Sequence, residues 1–231
     1  MKSIQKFHDC GALCIESDTG DALTKRHRPI STVYVISKRA LDISGALIGL
    51  FVLALLLPLI ALCIWFEDRG PIFYRQMRVG LCGRLFPTYK LRSMVQHADN
   101  ILAGRSELLK EWQQRGKLHD DPRITHVGRF LRRSSLDELP QMLNVLRGEM
   151  SLVGPRAVQF SEVAAFGELH ELRQMVKPGL TGLWQVCGRS ETSYEQRCIL
   201  DCIYVMERSL RTDISILLRT SLAVVRGKGA C

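Results

Sequence analysis

The sequence has no CxxC pair and no His/Cys cluster at zinc-finger spacing, although it contains 8 cysteines. That excludes a thiol redox motif and a zinc-finger module. The cysteines read as reduced, small apolar side chains of a cytosolic protein, including Cys198 and Cys202, which would share one helix face. Internal repeats and low-complexity tracts are also missing, which excludes a solenoid. No apolar run occurs before about residue 40, too late for a secretory signal peptide. Acidic residues are in deficit: 23 Asp and Glu stand against 32 Lys and Arg, a formal charge of +9. The balance favours anionic partners such as phosphate esters, acidic headgroups or nucleic acid, without choosing among them.

The most informative absence is of charge. Between Ile43 and Phe66 there are 24 residues, ISGALIGLFVLALLLPLIALCIWF, with none. As a straight helix they would rise about 36 Å against a hydrocarbon core of roughly 30 Å. The run has no polar face, so the segment enters a membrane. Pro58 removes an amide donor and predicts a kink. Lys38 and Arg39 precede the run while Arg69, Arg75, Arg78 and Arg84 follow it, and this symmetry gives no orientation by the positive-inside rule. It suits a helix that dips in and returns to the same face; a single kinked span is the alternative.

Around this segment the chain divides into a flexible basic tail (1–37, with Lys25-Arg26-His27-Arg28), a membrane helix (38–66) and a soluble domain (67–231). Two runs, IFYRQMRV and RLFPTYKL, flank Gly80-Leu81-Cys82-Gly83 and read as an arginine-rich β-hairpin. Helical patterns follow at about 97–116, 125–133, 138–147, 159–175, 193–208 and 212–226. The fold class is therefore mostly α with a small hairpin, membrane-associated. The last helix has Ile214, Leu217, Leu218, Leu222 and Val225 on one side with Arg219, Arg226 and Lys228 nearby, and suits a surface-lying role at a bilayer.

One acidic pair carries candidate chemistry. In SSLDELPQMLNVLRG, Ser135-x-x-Glu138 matches a capping box. Pro140 argues for Asp137 as N-cap instead, because a proline third in a helix loses no bond, whereas fifth it does. Leu139, Met142, Leu143 and Leu146 then form an i, i+3, i+4, i+7 stripe that anchors the helix and leaves its start facing a ligand. A carboxylate there would be held ionised by the helix field, and would be a competent nucleophile toward phosphorus if cations screened it. Arg129, Arg132 and Arg133 precede the pair and Arg156 follows in Gly154-Pro155-Arg156; each is either a phosphate contact or a solvated charge. Glu138 could hold Mg²⁺ together with phosphate oxygens and waters.

These residues belong to an ordered set: Lys38-Arg39-Ala40-Leu41-Asp42, Gly70-Pro71-Ile72-Phe73-Tyr74-Arg75-Gln76, Tyr89-Lys90-Leu91-Arg92-Ser93-Met94, Asp121-Pro122-Arg123-Ile124-Thr125, Ser135-Leu136-Asp137-Glu138-Leu139-Pro140-Gln141, Ser151-Leu152-Val153-Gly154-Pro155-Arg156, Lys177-Pro178-Gly179-Leu180-Thr181-Gly182-Leu183-Trp184-Gln185 and Val225-Arg226-Gly227-Lys228-Gly229-Ala230. The set resembles the monotopic polyprenol-phosphate phosphoglycosyl transferases, the bacterial sugar transferases, closest to their exopolysaccharide-initiating branch. The resemblance implies transfer of a sugar 1-phosphate from a UDP-sugar to undecaprenyl phosphate, with Mg²⁺ as cofactor, UMP released and a covalent aspartyl intermediate. It implies Asp137 as nucleophile, Glu138 as the metal's partner, and Lys90, Arg132 and Arg156 around the phosphates, with Asp213 and Gln185 supporting the site. It also implies a re-entrant, Pro-broken membrane helix and interfacial helices at the inner membrane, with the catalytic domain on the cytosolic face. Membrane lipid is then a partner and nucleic acid is not, while a homodimer and downstream glycosyltransferases are further partners to consider. Ala157 stands where the family usually has a proline after Gly-Pro-Arg, which implies a looser loop. Leu57 replaces a common serine before Pro58, and Glu207-Arg208 a common Asn-Trp. Two other readings stay open from the residues alone: a glycosyltransferase that releases UDP, and a tethered basic scaffold.

Overall fold

The structure is a computed structural model that describes residues 31–115, 118, 120–167, 169–187 and 194–225. The basic knot Lys25–Arg28 and the piece from Arg226 onward lie outside the described residues. The architecture is mostly helical, with two small sheets and one long apolar helix.

That helix, α1 (Thr32–Asp68), starts where Ser31 accepts a hydrogen bond from the Val33 amide, and ends at Arg69 in a left-handed conformation. It begins six residues before the expected boundary at 38, and it continues through Pro58 rather than ending there. Proline removes only its own amide from the ladder, and Leu53, Leu56, Leu57 and Ile60 pack against the domain on both sides of it. The buried face, Asp42, Ala46, Gly49, Leu53, Ile60 and Ile64, keeps helical spacing. Small residues bring the helix close: a Cβ on Gly45 would lie 2.5 Å from Leu152 Cδ1, and one on Gly49 2.8 Å from Met142 Cγ. Elsewhere on α1, Leu47, Ile48, Phe51, Leu55, Leu59, Leu62 and Phe66 are exposed.

The domain grips α1 at both ends. Near the start, Lys38 Nζ donates to the Val153 carbonyl (3.1 Å) and pairs with Asp213 (3.3 Å). One oxygen of buried Asp42 accepts from Ser151 Oγ and the Leu152 amide, both at 2.9 Å. Arg39 donates to the carbonyls of Val145 and Leu146, each at 2.7 Å, at the end of the short helix that follows the acidic pair, where cations are favoured. At the far end, Glu67 accepts from the amides of His126 (2.6 Å) and Val127 (3.1 Å), and Asp68 pairs with Arg92.

After α1, β1 (Phe73–Val79) and β2 (Leu85–Leu91) form the expected antiparallel hairpin, with Tyr74 opposite Lys90 and Val79 opposite Leu85. The helix expected over 97–116 is two, α2 (Ala98–Ala103) and α3 (Ser106–Arg115), parted at Gly104. Helix α4 (His126–Ser134) is capped by Thr125, whose hydroxyl accepts from the Gly128 amide (2.9 Å). The helix expected over 138–147 is a 3-10 turn (Leu136–Gln141) followed by α5 (Met142–Arg147). Strand β3 (Ser151–Val153) pairs in parallel with β4 (Gly179–Thr181), a pairing too short for periodicity to announce. Between them, the helix expected over 159–175 is a 3-10 segment (Phe160–Phe166) and α6 (Leu169–Arg173), parted by Gly167. Helices α7 (Leu183–Cys187), α8 (Tyr194–Glu207) and α9 (Leu210–Val225) complete the described chain. In α9, Ile216 is buried and Leu217 packs on the core, so the expected stripe splits, with Ile214, Leu218 and Leu222 exposed.

Candidate active site

The acidic pair sits where three elements meet: β2, the end of α4 and the 3-10 turn. Helix α4 stops at Ser135, whose φ of 58° is left-handed. Asp137 is therefore not the N-cap of an α-helix. Pro140 has no amide to bond the carbonyl four residues back, so Leu136–Gln141 winds as a 3-10 turn and α5 waits until Met142. Ser135 makes no side-chain cap either, so the capping box is absent here; Gln159 and Glu162 form one instead. The stripe half holds: Leu139, Met142 and Leu146 pack on core clusters, while the fully buried α5 positions are Asn144 and Val145.

Asp137 is 7% exposed. Burial pushes its carboxyl up to about 6, a rise opposed by the charges of Lys90 and Arg132 and reinforced by Glu138. The field of an α-helix start, expected to favour the ionised form of Asp137, is not supplied here, because the α-helix begins only at Met142. Among the described residues, no other side chain donates a hydrogen bond to it. Half-buried Glu138 is the opposite case. Burial raises its pKa, but Lys90, Arg156 and Arg78 together bring it below its ordinary value. Lys90 Nζ donates to Glu138 Oε1 at 2.6 Å. The two adjacent carboxyls are thus shifted in opposite directions, Asp137 up and Glu138 down.

Strand β2 and the residues after it supply much of this environment. Lys90 points to Glu138, Arg92 to Asp68, and Ser93 Oγ accepts from Arg132 Nε at 2.8 Å. Arg132 is further influenced by Asp137, Asp121, Arg123 and Glu138, and burial lowers its pKa. Arg123 is turned away, bonded to Asp121 at 2.7 and 2.8 Å. Arg156 is exposed, with its guanidinium 5.8 Å from the Trp184 ring. Lys90, Arg132 and Arg156 therefore all act on the pair. Gln185 instead donates to the Leu180 carbonyl (3.2 Å). Asp213, fully buried, accepts from Tyr34 (3.1 Å) and Tyr204 (2.7 Å) and pairs with Lys38, tying α9 to the start of α1.

Arg78 was missed. It is buried, acts on Glu138, is acted on by Arg156, and donates to the Ala157 carbonyl (3.1 Å). The signal was available: strand alternation puts Arg78 on the same hairpin face as Tyr74 and its partner Lys90. Among the described residues, no group of three or more His, Cys, Asp or Glu could hold a metal alone.

Residues 33–227 match the protein family described as bacterial sugar transferase. The chain is 44% identical over 203 residues to an undecaprenyl-phosphate galactose phosphotransferase of Salmonella typhimurium, covering 84% of this chain and 41% of that protein. It is 42% identical over 199 residues to exopolysaccharide production protein ExoY of Sinorhizobium fredii, covering 84% of this chain and 88% of that one. To the UDP-glucose:undecaprenyl-phosphate glucose-1-phosphate transferase of Escherichia coli it is 39% identical over 201 residues, 83% of this chain and 41% of the relative. The chain thus spans about two fifths of the Salmonella and E. coli proteins and most of ExoY. With 195 residues matched to one family, the chain belongs to the bacterial sugar transferases.

Proposed function

We propose that this protein transfers a sugar 1-phosphate from a UDP-sugar to undecaprenyl phosphate, in the first membrane step of exopolysaccharide synthesis. The observation that carries this reading is the split acidic pair: a buried Asp137 with no side-chain donor among the described residues beside an anionic Glu138, with Lys90, Arg132 and Arg156 around them. An Asp137 oxygen attacks the β-phosphorus, the new P–O bond forms, and the bond from that phosphorus to the bridging oxygen breaks, its electron pair leaving with UMP. An oxygen of undecaprenyl phosphate then attacks the same phosphorus; the acyl–phosphate bond breaks and the carboxylate is restored. Arg132 and Arg156 offset the phosphate charge as the anions meet. Lys90 keeps Glu138 oriented and favours the ionised Asp137.

The pair fits Mg²⁺, which takes one or two carboxylates and fills its shell with phosphate oxygens and water. Glu138 would hold it through the oxygen not bonded to Lys90, and bound there it would neutralise diphosphate charge.

The membrane segment reads as re-entrant, with the 67–231 domain on the cytosolic face of the inner membrane. Support comes from the anchoring of both ends of α1, Lys38–Asp42 and Glu67–Asp68, to one domain. The outward Ile214, Leu218 and Leu222 of α9 suit an interfacial position. Labelling of Cys10 or Cys14 in intact cells by an impermeant maleimide overturns the re-entrant reading.

A panel of UDP-sugars with undecaprenyl phosphate, scored for the released nucleotide, tests the reaction. UMP is expected; UDP as product overturns the mechanism in favour of simple glycosyl transfer.

A further inference from the structure

The loop that carries Arg156 is bonded at every carbonyl from Pro155 to Val158, by donors from β4, α6 and β1. Pro155 accepts from the Gly179 amide (2.8 Å), Arg156 from Arg173 Nη2 (2.9 Å), Ala157 from Arg78 Nη1 (3.1 Å) and Val158 from the Val79 amide (2.9 Å). The looseness expected from Ala157 in place of proline is not found. Three of these donors belong to strands or the neighbouring hairpin. The fourth, Arg173 at the end of α6, needs a separate explanation.

Arg173 is buried with Asp201 of α8: its Nε donates to an Asp201 oxygen at 2.9 Å, its Nη2 lies 2.8 Å from the same oxygen in an ion pair, and its guanidinium lies 4.3 Å from the Phe166 ring. The Arg156 amide dipole also acts on Asp201, without a bond of ordinary geometry to Oδ1. The peptide units flanking Arg156 are therefore held from both sides by one ion pair. A buried pair seldom gains stability over an apolar pair of equal size, because desolvating two charges offsets their attraction. What it adds here is direction: with the guanidinium fork fixed by Asp201 and Phe166, Nη2 also donates to the Arg156 carbonyl. Behind the loop, the cavity lined by Arg156, His170 and Arg173 has a volume of about 20 Å³, room for about one water and none for a sugar. The pair thus acts on Arg156 and not on a ligand of its own.

We propose that Arg173, fixed by Asp201, is a positioning residue that sets the backbone of Arg156 so that its guanidinium meets the donor phosphates. This rests on Arg156 being a phosphate contact.

A double-mutant cycle on the full chain in detergent tests it, with UMP release as readout and thermal melting as the control for folding. Arg156→Ala, the apolar pair Arg173→Met/Asp201→Leu, and their combination are compared. Each of the first two is expected to lower kcat/KM for the UDP-sugar by about 100-fold, the loss typical of a catalytic cation displaced by 1 Å. The combination should lose no more than either alone. Arg173→Lys keeps a charge for Asp201 without the fork and should fold normally yet lose activity through a raised KM. Losses that multiply, or a paired substitution that leaves kcat/KM unchanged, overturn the inference while Arg156 keeps its role. An inactive pair variant that does not fold, with Arg173→Lys unfolded as well, makes the pair a folding element and overturns it too. An Arg156→Ala enzyme of normal activity instead removes the phosphate reading of Arg156, and this inference with it.

Discussion

Asp137 and Asp213 are both buried carboxyls near a lysine, yet they are built for different ends. Asp213 has each oxygen taken, one by Tyr204 and the other by Tyr34 and Lys38. Asp137 has the attraction of Lys90 and Arg132 and a backbone hydrogen bond, but no side-chain donor among the described residues, to set against its burial. A saturated carboxylate lowers the free energy of the fold; an unsaturated one keeps its lone pairs for a reactant and destabilises the fold.

The sharpest way to break this contrast is Asp137→Asn. Turnover should fall by more than about 10³-fold, as expected on loss of a covalent nucleophile. Melting temperature at pH 7 should rise, because a carboxyl lifted from 3.8 to about 6 contributes stability below 3.8 that is lost as pH rises through 6. An asparagine variant that melts lower would put Asp137 in the class of Asp213. Next in size, Asp213→Ala leaves Lys38 buried beside only Asp42 at 3.8 Å and should cost about 3 kcal/mol in chemical denaturation. The folded fraction should retain its UMP-releasing activity; loss of activity without loss of stability would move Asp213 into the site. A subtler effect concerns pH. In the intact enzyme kcat/KM should rise with pH through about 6 as Asp137 ionises, and Lys90→Met should move that limb upward by roughly one unit. A limb that stays put would assign it to another group. The smallest change is Gly49→Ala, whose Cβ meets the flexible Met142 side chain at 2.8 Å and should cost about 1 kcal/mol, leaving the pH profile untouched.

The hairpin, the apolar helix and the position of the acidic pair were legible in the sequence because each rests on a local signal: period two, an uncharged run, and a proline-marked turn. The conformation at Asp137 was not, because Ser135 turns left-handed and Pro140 keeps Leu136–Gln141 in a 3-10 turn, which moves the α-helix start five residues along to Met142. Of the cations, Lys90, Arg132 and Arg156 converge on the pair, whereas Arg123 is held by Asp121 two residues before it. Asp213, Arg173 and Asp201 depend on partners far away in the chain, 179 residues away for Tyr34 and Asp213 and 28 for Arg173 and Asp201. Spacing within one motif cannot reveal them.

The double anchorage of α1 has a mechanical consequence. Glu67 and Asp68 hold the amides of His126 and Val127 and the side chain of Arg92, and α4 and β2 lead from there directly to the acidic pair. Lys38, Arg39 and Asp42 hold the other side, at α5 and β3. The pair cannot rise or sink relative to a bilayer unless the apolar helix moves with it. In the proposed reaction the helix is a depth gauge as well as an anchor: its immersion would set the height at which Asp137 meets a phosphate that travels in the plane of the lipid.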